Sequence, residues 1–146
     1  MIYDLNKIVR YAAADGEIRP TPQRACITIV DGVIAGEGNG PLQSLPVEAG
    51  LVLAGHDPFQ VDMVMARLMG FDYRKIPALR HHRAFEDADW GNFSSHELHI
   101  DNNGTVLHGI AELPVLRKFL APPGWASHIE LGDEDGKGTM AAVRVL

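Results

Sequence analysis

The strongest constraint on the fold is the segment of residues 50–70, which joins a strand pattern directly to a capped helix. Residues 50–55 are apolar between two glycines and predict a buried strand. Asp57 has the side chain of a helix N-cap, and Pro58 suits the first helical position, where its missing N–H is not needed. Gly70 is a suitable helix end. The chain should therefore contain a strand that leads through one short turn into a helix.

A second apolar segment, residues 26–31, lies upstream and is rich in the β-branched residues that favour strands. Its nearly continuous hydrophobicity is typical of a strand buried on both faces, as in the centre of a parallel sheet. Later in the chain, residues 97–101 and 105–108 flank Asn102-Asn103-Gly104, a sequence typical of a tight hairpin turn. The sequence therefore predicts an α/β fold: a mixed sheet with parallel central strands flanked by helices, plus a late antiparallel hairpin.

The remaining elements and the length complete this picture. Apolar spacing predicts a helix over residues 4–12. Another helix is expected over residues 75–86, with Pro77 near its start, and residues 140–146 favour an edge strand. With 146 residues, of which 46% are hydrophobic, the chain is large enough for one core and short for two ordinary domains. Residues 1–146 are therefore expected to form a single domain.

Net charge and cysteine content exclude several classes of protein. The formal net charge of -6 argues against binding to the phosphate backbone of nucleic acids. Cys26 is the single cysteine, so the chain forms no internal disulfide and cannot by itself supply the roughly four ligands of an iron–sulfur cluster. No apolar stretch is long enough to span a membrane, and the first residues lack the pattern of a secretion signal. A soluble, cytoplasmic protein is the expectation.

The closely spaced glycines of residues 36–41 are the most informative feature for function. Such glycines permit positive φ angles and close approach of the backbone to a ligand. If the strands that end near Asp31 and Asp57 are parallel neighbours, both carboxylates lie at the sheet edge where α/β proteins bind ligands, and Glu37 overhangs it. Carboxylate oxygens suit Mg²⁺, Mn²⁺ or Ca²⁺. The alternative is a tight, irregular connection whose carboxylates face water.

The predicted site has two groups of residues. The predicted metal ligands are Asp31, Glu37 and Asp57, and the predicted ligand-binding residues around them are Gly36, Gly38, Asn39 and Gly40. The glycine spacing is not that of a dinucleotide-binding fingerprint, and no Gly-Lys-Ser/Thr follows it, so a direct phosphate-binding loop is not expected. An anion would bind beside Glu37 only through a cation, because the carboxylate repels it.

Asp62 is a second anomaly, since it lies between Val61 and Met63 in the predicted helix. A carboxylate with few polar neighbours must find a partner, or its pKa must rise. One interpretation makes Asp62 a general base or a supporting group beside Asp57, and it is the predicted catalytic residue. The alternative is an aspartate at an exposed helix edge, or one that pairs with Arg67.

The chain resembles the domain-of-unknown-function 362 family in several segments that occur in order. They are residues 31–41, Asp57-Pro58 with Asp62, residues 66–72, Lys75-Ile76-Pro77, and the late Gly124-Trp125 with His128-Ile129-Glu130. Members of that family are often longer, some carry ferredoxin-like iron–sulfur motifs, and the family has no settled activity. The resemblance implies that this chain corresponds to the later portion of such proteins, without their cysteine motifs.

Histidines add further candidates. His128 and Glu130 alternate in a segment expected to be extended, so both side chains can point the same way, and the resemblance supports placing them in a ligand-binding pocket near Trp125. His99 and His108 face each other across the predicted hairpin and could bind zinc or nickel. The wet face of an amphipathic hairpin explains this pair better, since nothing else fixes a metal geometry.

Two hypotheses about function follow. In the first, the chain binds a hard divalent cation, or an anionic small molecule through that cation, and any enzymatic activity would be metal-assisted acid–base chemistry. In the second, it is a non-catalytic interaction module, or a fragment, that forms a homo-oligomer or docks with a separate iron–sulfur or redox partner chain. Nucleic acid and membrane are not expected partners.

Overall fold

The computed structural model describes residues 2–80 and 98–132. In chain order the elements are α1 (Ile2–Tyr11), β1 (Thr28–Asn39), β2 (Gln43–Gly55), α2 (Pro58–Leu68), a 3₁₀ turn (Tyr73–Lys75), α3 (Pro77–Arg80), β3 (His99–Asn102), β4 (Thr105–His108) and a second 3₁₀ turn (Ile110–Glu112). The predicted strand over residues 140–146, and the part of the predicted helix that follows Arg80, lie outside the described residues. No helix within the described ranges is long and apolar enough to cross a membrane.

Strands β1 and β2 form one long antiparallel hairpin. The pairing runs from Thr28 opposite Gly55 to Asn39 opposite Gln43, with one irregularity between Gly32 and Ile34. The prediction of parallel central strands is wrong, because the described residues form two separate antiparallel sheets of two strands each. The physical reason is the short connection of residues 40–42, since a parallel crossover needs about a dozen residues or more.

The glycine-rich segment belongs to strand β1 rather than to a loop. Gly36 pairs with Pro46, and Gly38 pairs with Ser44. A Cβ atom on Gly36 would lie 3.0 Å from the Cβ of Ser44, and Gly38 has a φ of 77°. These glycines therefore mark close approach and a special backbone angle within a strand.

Helix α2 begins as its sequence predicts. The side chain of Asp57 accepts hydrogen bonds from the backbone N–H groups of Phe59 at 2.8 Å and Gln60 at 3.4 Å. The helix ends at Leu68, and Gly70 follows with a φ of 80°. The capping residues near each end therefore predicted the beginning and the end of this helix correctly.

The core lies between α2 and the inner face of the β1–β2 hairpin. Two clusters of buried side chains fill it, one around Leu51, Val61 and Leu113 and the other around Val47 and Met63. The opposite face of the hairpin is exposed, so the hydrophobic run over residues 26–31 is not buried on both faces as predicted. Exposed apolar side chains on one face make an amphipathic strand look like a central one.

The late hairpin is confirmed. Strands β3 and β4 pair antiparallel, with His99 opposite His108. Asn103 and Gly104 have φ angles of 52° and 86° at the turn, the backbone conformation that an Asn-Gly pair favours.

Candidate functional site

Asp31 lies within β1 and not at a strand end. It pairs with Val52 and is solvent-exposed. Its Oδ1 atom accepts a hydrogen bond of 3.1 Å from the backbone N–H of Val33, next to the irregularity in the ladder. This carboxylate therefore supports the local bend of the strand.

Asp57 is buried and already has two structural partners. Only 8% of the residue is exposed. One carboxylate oxygen caps helix α2, and the other forms an ion pair with Arg10 of helix α1. The side chains of Arg10 and Asp57 are 16% and 11% exposed, so the pair is largely shielded from water. Asp57 thus joins the beginning of α2 to α1.

Glu37 joins the far part of the hairpin to residues 117–120. Its side chain is 9% exposed, and its Oε2 atom accepts a hydrogen bond of 3.0 Å from the backbone N–H of Leu120. The Nη2 atom of Arg117 lies 3.8 Å from Oε1. The backbone N–H of Gly38 donates to the carbonyl oxygen of Leu120 at 2.9 Å, so two backbone groups of one residue are bound side by side.

The three predicted metal ligands therefore serve three different parts of the fold. Asp31 is exposed on β1, whereas the Glu37 side chain, further along the same strand, is largely buried. The parallel strand order that would have brought Asp57 beside them does not occur. Within residues 2–80 and 98–132, no group of three His, Cys, Asp or Glu side chains could hold a metal ion. The arrangement that the predicted cation site requires, with the three carboxylates at one sheet edge, is therefore absent in that part of the chain.

The predicted ligand-binding residues lie at the tip of the hairpin. The side chain of Asn39 donates to Oε1 of Gln43 at 3.4 Å, and the N–H of Gly40 donates to the carbonyl oxygen of Gly38 at 2.9 Å. Gly36, Asn39 and Gly40 are exposed, and the adjacent Leu42 is 92% exposed. These residues form the last part of β1 and the start of the turn that follows it, and they do not line a crevice.

Asp62 lies on the exposed side of helix α2. Loss of hydration to the surrounding protein atoms raises the pKa of its carboxyl above the usual range. It is five residues from Asp57, which is about 140° around a helix, so the two carboxyls do not share a face. Arg67 donates instead to the carbonyl oxygen of Leu113 at 2.7 Å. The structure therefore does not join Asp62 to the other predicted residues.

His128 lies in a turn, and Glu130 follows that turn in an isolated antiparallel bridge with Phe71. The backbone N–H of His128 donates to the carbonyl oxygen of Trp125, and the imidazole is exposed. Oε1 of Glu130 accepts a hydrogen bond of 3.0 Å from the N–H of Ser127. Hydrogen bonds from the backbone N–H groups of Glu130 and Ser127 lower the pKa of the Glu130 carboxyl. This carboxylate is therefore held by the backbone of the turn that precedes it.

His99 and His108 meet across the second hairpin as expected. Their ring centroids are 5.1 Å apart, and the rings are nearly perpendicular, at 82°. Both residues are exposed. Two imidazoles in edge-to-face contact, without a third ligand in the described part of the chain, match the solvent-facing interpretation of this pair.

Asp72 is a buried carboxylate that the sequence did not single out. It is 7% exposed and caps the turn Tyr73–Lys75 by accepting from the backbone N–H of Arg74. The Nε and Nη2 atoms of Arg74 donate to its two oxygens at 2.8 and 2.9 Å. The pattern Gly70-Phe71-Asp72 after a helix was the available signal, since an aspartate before a turn is a typical cap.

The environment of Asp72 predicts a pH dependence of stability. Burial works to raise the pKa of its carboxyl, but the hydrogen bonds and charge of Arg74 outweigh burial and lower the pKa below 3.8. A lowered folded-state pKa stabilises the fold above the unfolded-state value, and this stabilisation is lost as the pH falls through the folded-state pKa. Urea unfolding should therefore show a stability difference between wild type and Asp72→Asn at pH 7 that shrinks at pH 3.5. A difference that is equal at both pH values would contradict this role.

Comparison with known proteins bears on the part of the chain that contains α1, the first hairpin and most of α2. The model of a domain of unknown function (DUF362) matches residues 1–67. The resemblance to DUF362 is confirmed over these residues. The thylakoid-associated protein sll1697 of Synechocystis sp. is 40% identical over 53 residues, which are 36% of this chain and 16% of that protein. No solved structure matches the chain significantly.

The DUF362 match does not extend over every segment that carried the resemblance. It includes residues 31–41 with Asp57-Pro58 and Asp62, but Lys75-Ile76-Pro77 and residues 124–130 follow it. The aligned segment spans about a sixth of the relative's length. The correspondence of the later segments to the family therefore stays a prediction.

Proposed function

We propose that the chain is an interaction module that packs the outer face of its β1–β2 hairpin against a partner polypeptide. The outer face is the side turned away from α2, and its central residues are Ile29, Asp31, Ile34, Glu48 and Val52. The observation that carries the proposal is the exposure of its aliphatic side chains. Ile29 is 69% exposed, Ile34 is 68% exposed and Val52 is 43% exposed.

The hairpin itself supports this proposal. Contiguous exposed apolar side chains on one surface are typical of interaction sites. The sheet has two strands within the described residues, so each strand also has an edge without a strand partner there. Long, exposed strand edges pair readily with other chains unless they are covered or charged. Both strands contain acidic residues and no Lys or Arg, so a basic chain is the kind that their edges would accept.

The charges on this face favour a basic, different partner over a second copy of the chain. Asp31 and Glu48 lie among its aliphatic residues, and both strands lack basic residues. Packing two identical outer faces together would bring four carboxylates into one interface without a counter-charge, which is unfavourable. A partner with Lys or Arg opposite Asp31 and Glu48 would satisfy both carboxylates.

The comparison suggests the source of such a partner. The thylakoid-associated relative has most of its length outside the aligned 53 residues. We therefore propose that the outer face packs against polypeptide that corresponds to the rest of a family-length protein. The cation-binding hypothesis lacks an equivalent support, because its predicted ligands Glu37 and Asp57 are engaged by Leu120 and Arg10.

The double variant Ile29→Lys with Ile34→Lys tests this proposal. Because both side chains are mostly exposed, we expect the free energy of unfolding in urea to fall by less than about 1 kcal/mol. Co-expression with the remainder of the thylakoid-associated relative, lacking its 53 aligned residues, should give a complex that the double variant weakens at least about tenfold.

Val106→Lys is the matched control, since Val106 is 53% exposed on β4 and lies off the outer face. It should leave the affinity unchanged. A loss of stability above about 2 kcal/mol in the double variant would mean that other parts of the chain already cover this face. An affinity equal to that of wild type would exclude the outer face as the docking surface.

A further inference from the structure

The pairing pattern of the first hairpin shows which backbone groups of β1 point away from β2. In an antiparallel ladder, pairs that exchange hydrogen bonds alternate with pairs whose N–H and C=O groups point outward. Gly38 belongs to an outward-pointing pair, because its N–H donates to the carbonyl oxygen of Leu120, which lies outside the ladder. By this alternation, the N–H groups of Gly36 and Ile34 point outward as well. Pro46 agrees with it, since this partner of Gly36 has no N–H to donate to β1.

The free edge of β1 is accessible at this place. Gly36 is exposed, and because it has no side chain, the exposed atoms belong to the backbone. Among the residues that the structure describes, no backbone group outside the ladder is hydrogen-bonded to Gly36 or Ile34. The neighbouring Gly38 already binds the backbone of Leu120 along the same edge. The edge therefore has the geometry to bind a further extended chain.

The free edge of β2 is less suited to a partner strand. Pro46 lies within it, and the proline ring occupies the place of an outward N–H group. Gly50, with a φ of 63°, lies at the irregularity of the ladder, where the regular spacing of outward groups is interrupted. Proline and bulges are devices that keep a strand edge from pairing with another chain. Strand β1 contains no proline, so its edge is the available one.

We propose that the partner polypeptide adds an extended segment to the free edge of β1 as a third strand. This strand addition rests on the proposed function, because it concerns the same partner and specifies how its chain reaches the outer face. The outward N–H and C=O groups of Ile34 and Gly36 would bind the added strand. Its outward side chains would lie beside Asp31 and Ile34, so Lys or Arg is expected beside the carboxylate and an aliphatic residue beside Ile34.

A second copy of the chain suits this edge less well than a basic segment does. The charged side chains of β1 are Asp31 and Glu37, and the strand contains no Lys or Arg. Pairing two β1 strands would add like charges to one sheet without a counter-charge, which is unfavourable. A Lys or Arg of a different polypeptide would instead satisfy Asp31. The expected occupant is therefore a basic, extended segment of the partner.

Two proline variants test which edge the partner uses. Ile34 and Glu48 lie opposite each other in an outward-pointing pair, so proline at either position removes an outward N–H and no bond between the strands. The probe is the remainder of the thylakoid-associated relative, without its 53 aligned residues. Ile34→Pro should bind it at least about tenfold more weakly than Ile34→Ala, which keeps the N–H. Glu48→Pro should bind it as tightly as Glu48→Ala.

Amide exchange in the wild-type complex decides the same question if a proline variant fails to fold. The N–H groups of Ile34 and Gly36 should exchange at least about tenfold more slowly in the complex than in the free chain, because they gain hydrogen-bond acceptors. The N–H of Glu48, on the free edge of β2, should exchange at the same rate in both.

Each other outcome would overturn the strand addition. A weaker complex for Glu48→Pro alone, or slower exchange at Glu48 alone, would place the partner on β2. Equal binding of Ile34→Pro and Ile34→Ala, with unchanged exchange at Gly36, would leave the outer-face proposal standing as a contact between side chains. Self-association that Ile34→Pro abolishes in sedimentation velocity would make a second copy the occupant. Absence of any complex would overturn the proposed function and the strand addition with it.

Discussion

Asp57→Ala is expected to lower the free energy of unfolding by about 3–5 kcal/mol, because it breaks a largely buried ion pair and removes a helix cap. The caps on Phe59 and Gln60 would be lost, and the guanidinium of Arg10 would keep its buried position without a counter-charge. The Nε atom of Arg10 already has no hydrogen-bond partner within the described residues, which makes a second loss more costly. Urea denaturation followed by far-ultraviolet circular dichroism, with a chelator present, measures the change.

Three further variants separate the contributions at this position. Asp57→Asn keeps an oxygen for the cap but not the charge, so its loss should be smaller than that of Asp57→Ala. Combining Asp57→Ala with Arg10→Met should cost less than the sum of the single changes, since the buried charge is then removed with its partner. Glu48→Ala is the control, because this exposed carboxylate should contribute within about 0.5 kcal/mol.

The same experiment separates a structural role from metal binding. A metal ligand would matter only when metal is present, and its loss would abolish a stabilisation by added Mg²⁺, Mn²⁺ or Ca²⁺. The ion pair with Arg10 predicts the full loss in chelator and no dependence on added metal. If Asp57→Ala were as stable as wild type in chelator but no longer responded to a metal, the structural assignment would be wrong.

The sequence predicted those elements whose determinants are local. The cap of α2 depends on Asp57 and Pro58, and the turn of the second hairpin depends on Asn103 and Gly104. The antiparallel pairing of β1 with β2 was not predicted. Glycines that permit two strands to approach closely look the same in a sequence as glycines of a ligand-binding loop. Gly36 pairs in the ladder with Pro46, ten residues later, and no short-range pattern specifies that register.

The candidate site shows the same division between local and distant information. Asp31, Glu37 and Asp57 were predicted to hold a cation together at one sheet edge, and their actual partners could not be inferred. Arg10 is 47 positions from Asp57, and Leu120 is 83 positions from Glu37. A carboxylate that binds a metal ion and one that accepts a hydrogen bond from a distant N–H group look the same in a sequence. In both roles the carboxylate supplies only its oxygen atoms, and the sequence does not show what they contact.

Glu37→Ala is the second large effect that we expect, with a loss of about 1–3 kcal/mol in the free energy of unfolding. The change would leave the backbone N–H of Leu120 without its acceptor in a place where the Glu37 side chain is 9% exposed. Arg117 should contribute little to this loss, because it is 54% exposed and lies 3.8 Å from the carboxylate. Urea denaturation gives the total change.

Amide exchange at Leu120 gives a local measurement of the same contact. Its N–H should exchange faster in Glu37→Ala than in wild type, even under conditions where the protein stays folded. Glu37→Gln keeps a carbonyl oxygen that can accept from Leu120, so it should restore much of the protection. Glu48→Ala is the matched control, since Glu48 is exposed on the neighbouring strand and should change neither stability nor exchange appreciably. Unchanged exchange at Leu120 in Glu37→Ala would show that this hydrogen bond does not hold residues 117–120 to the hairpin. Glu37 would then again be available as a metal ligand at the hairpin tip.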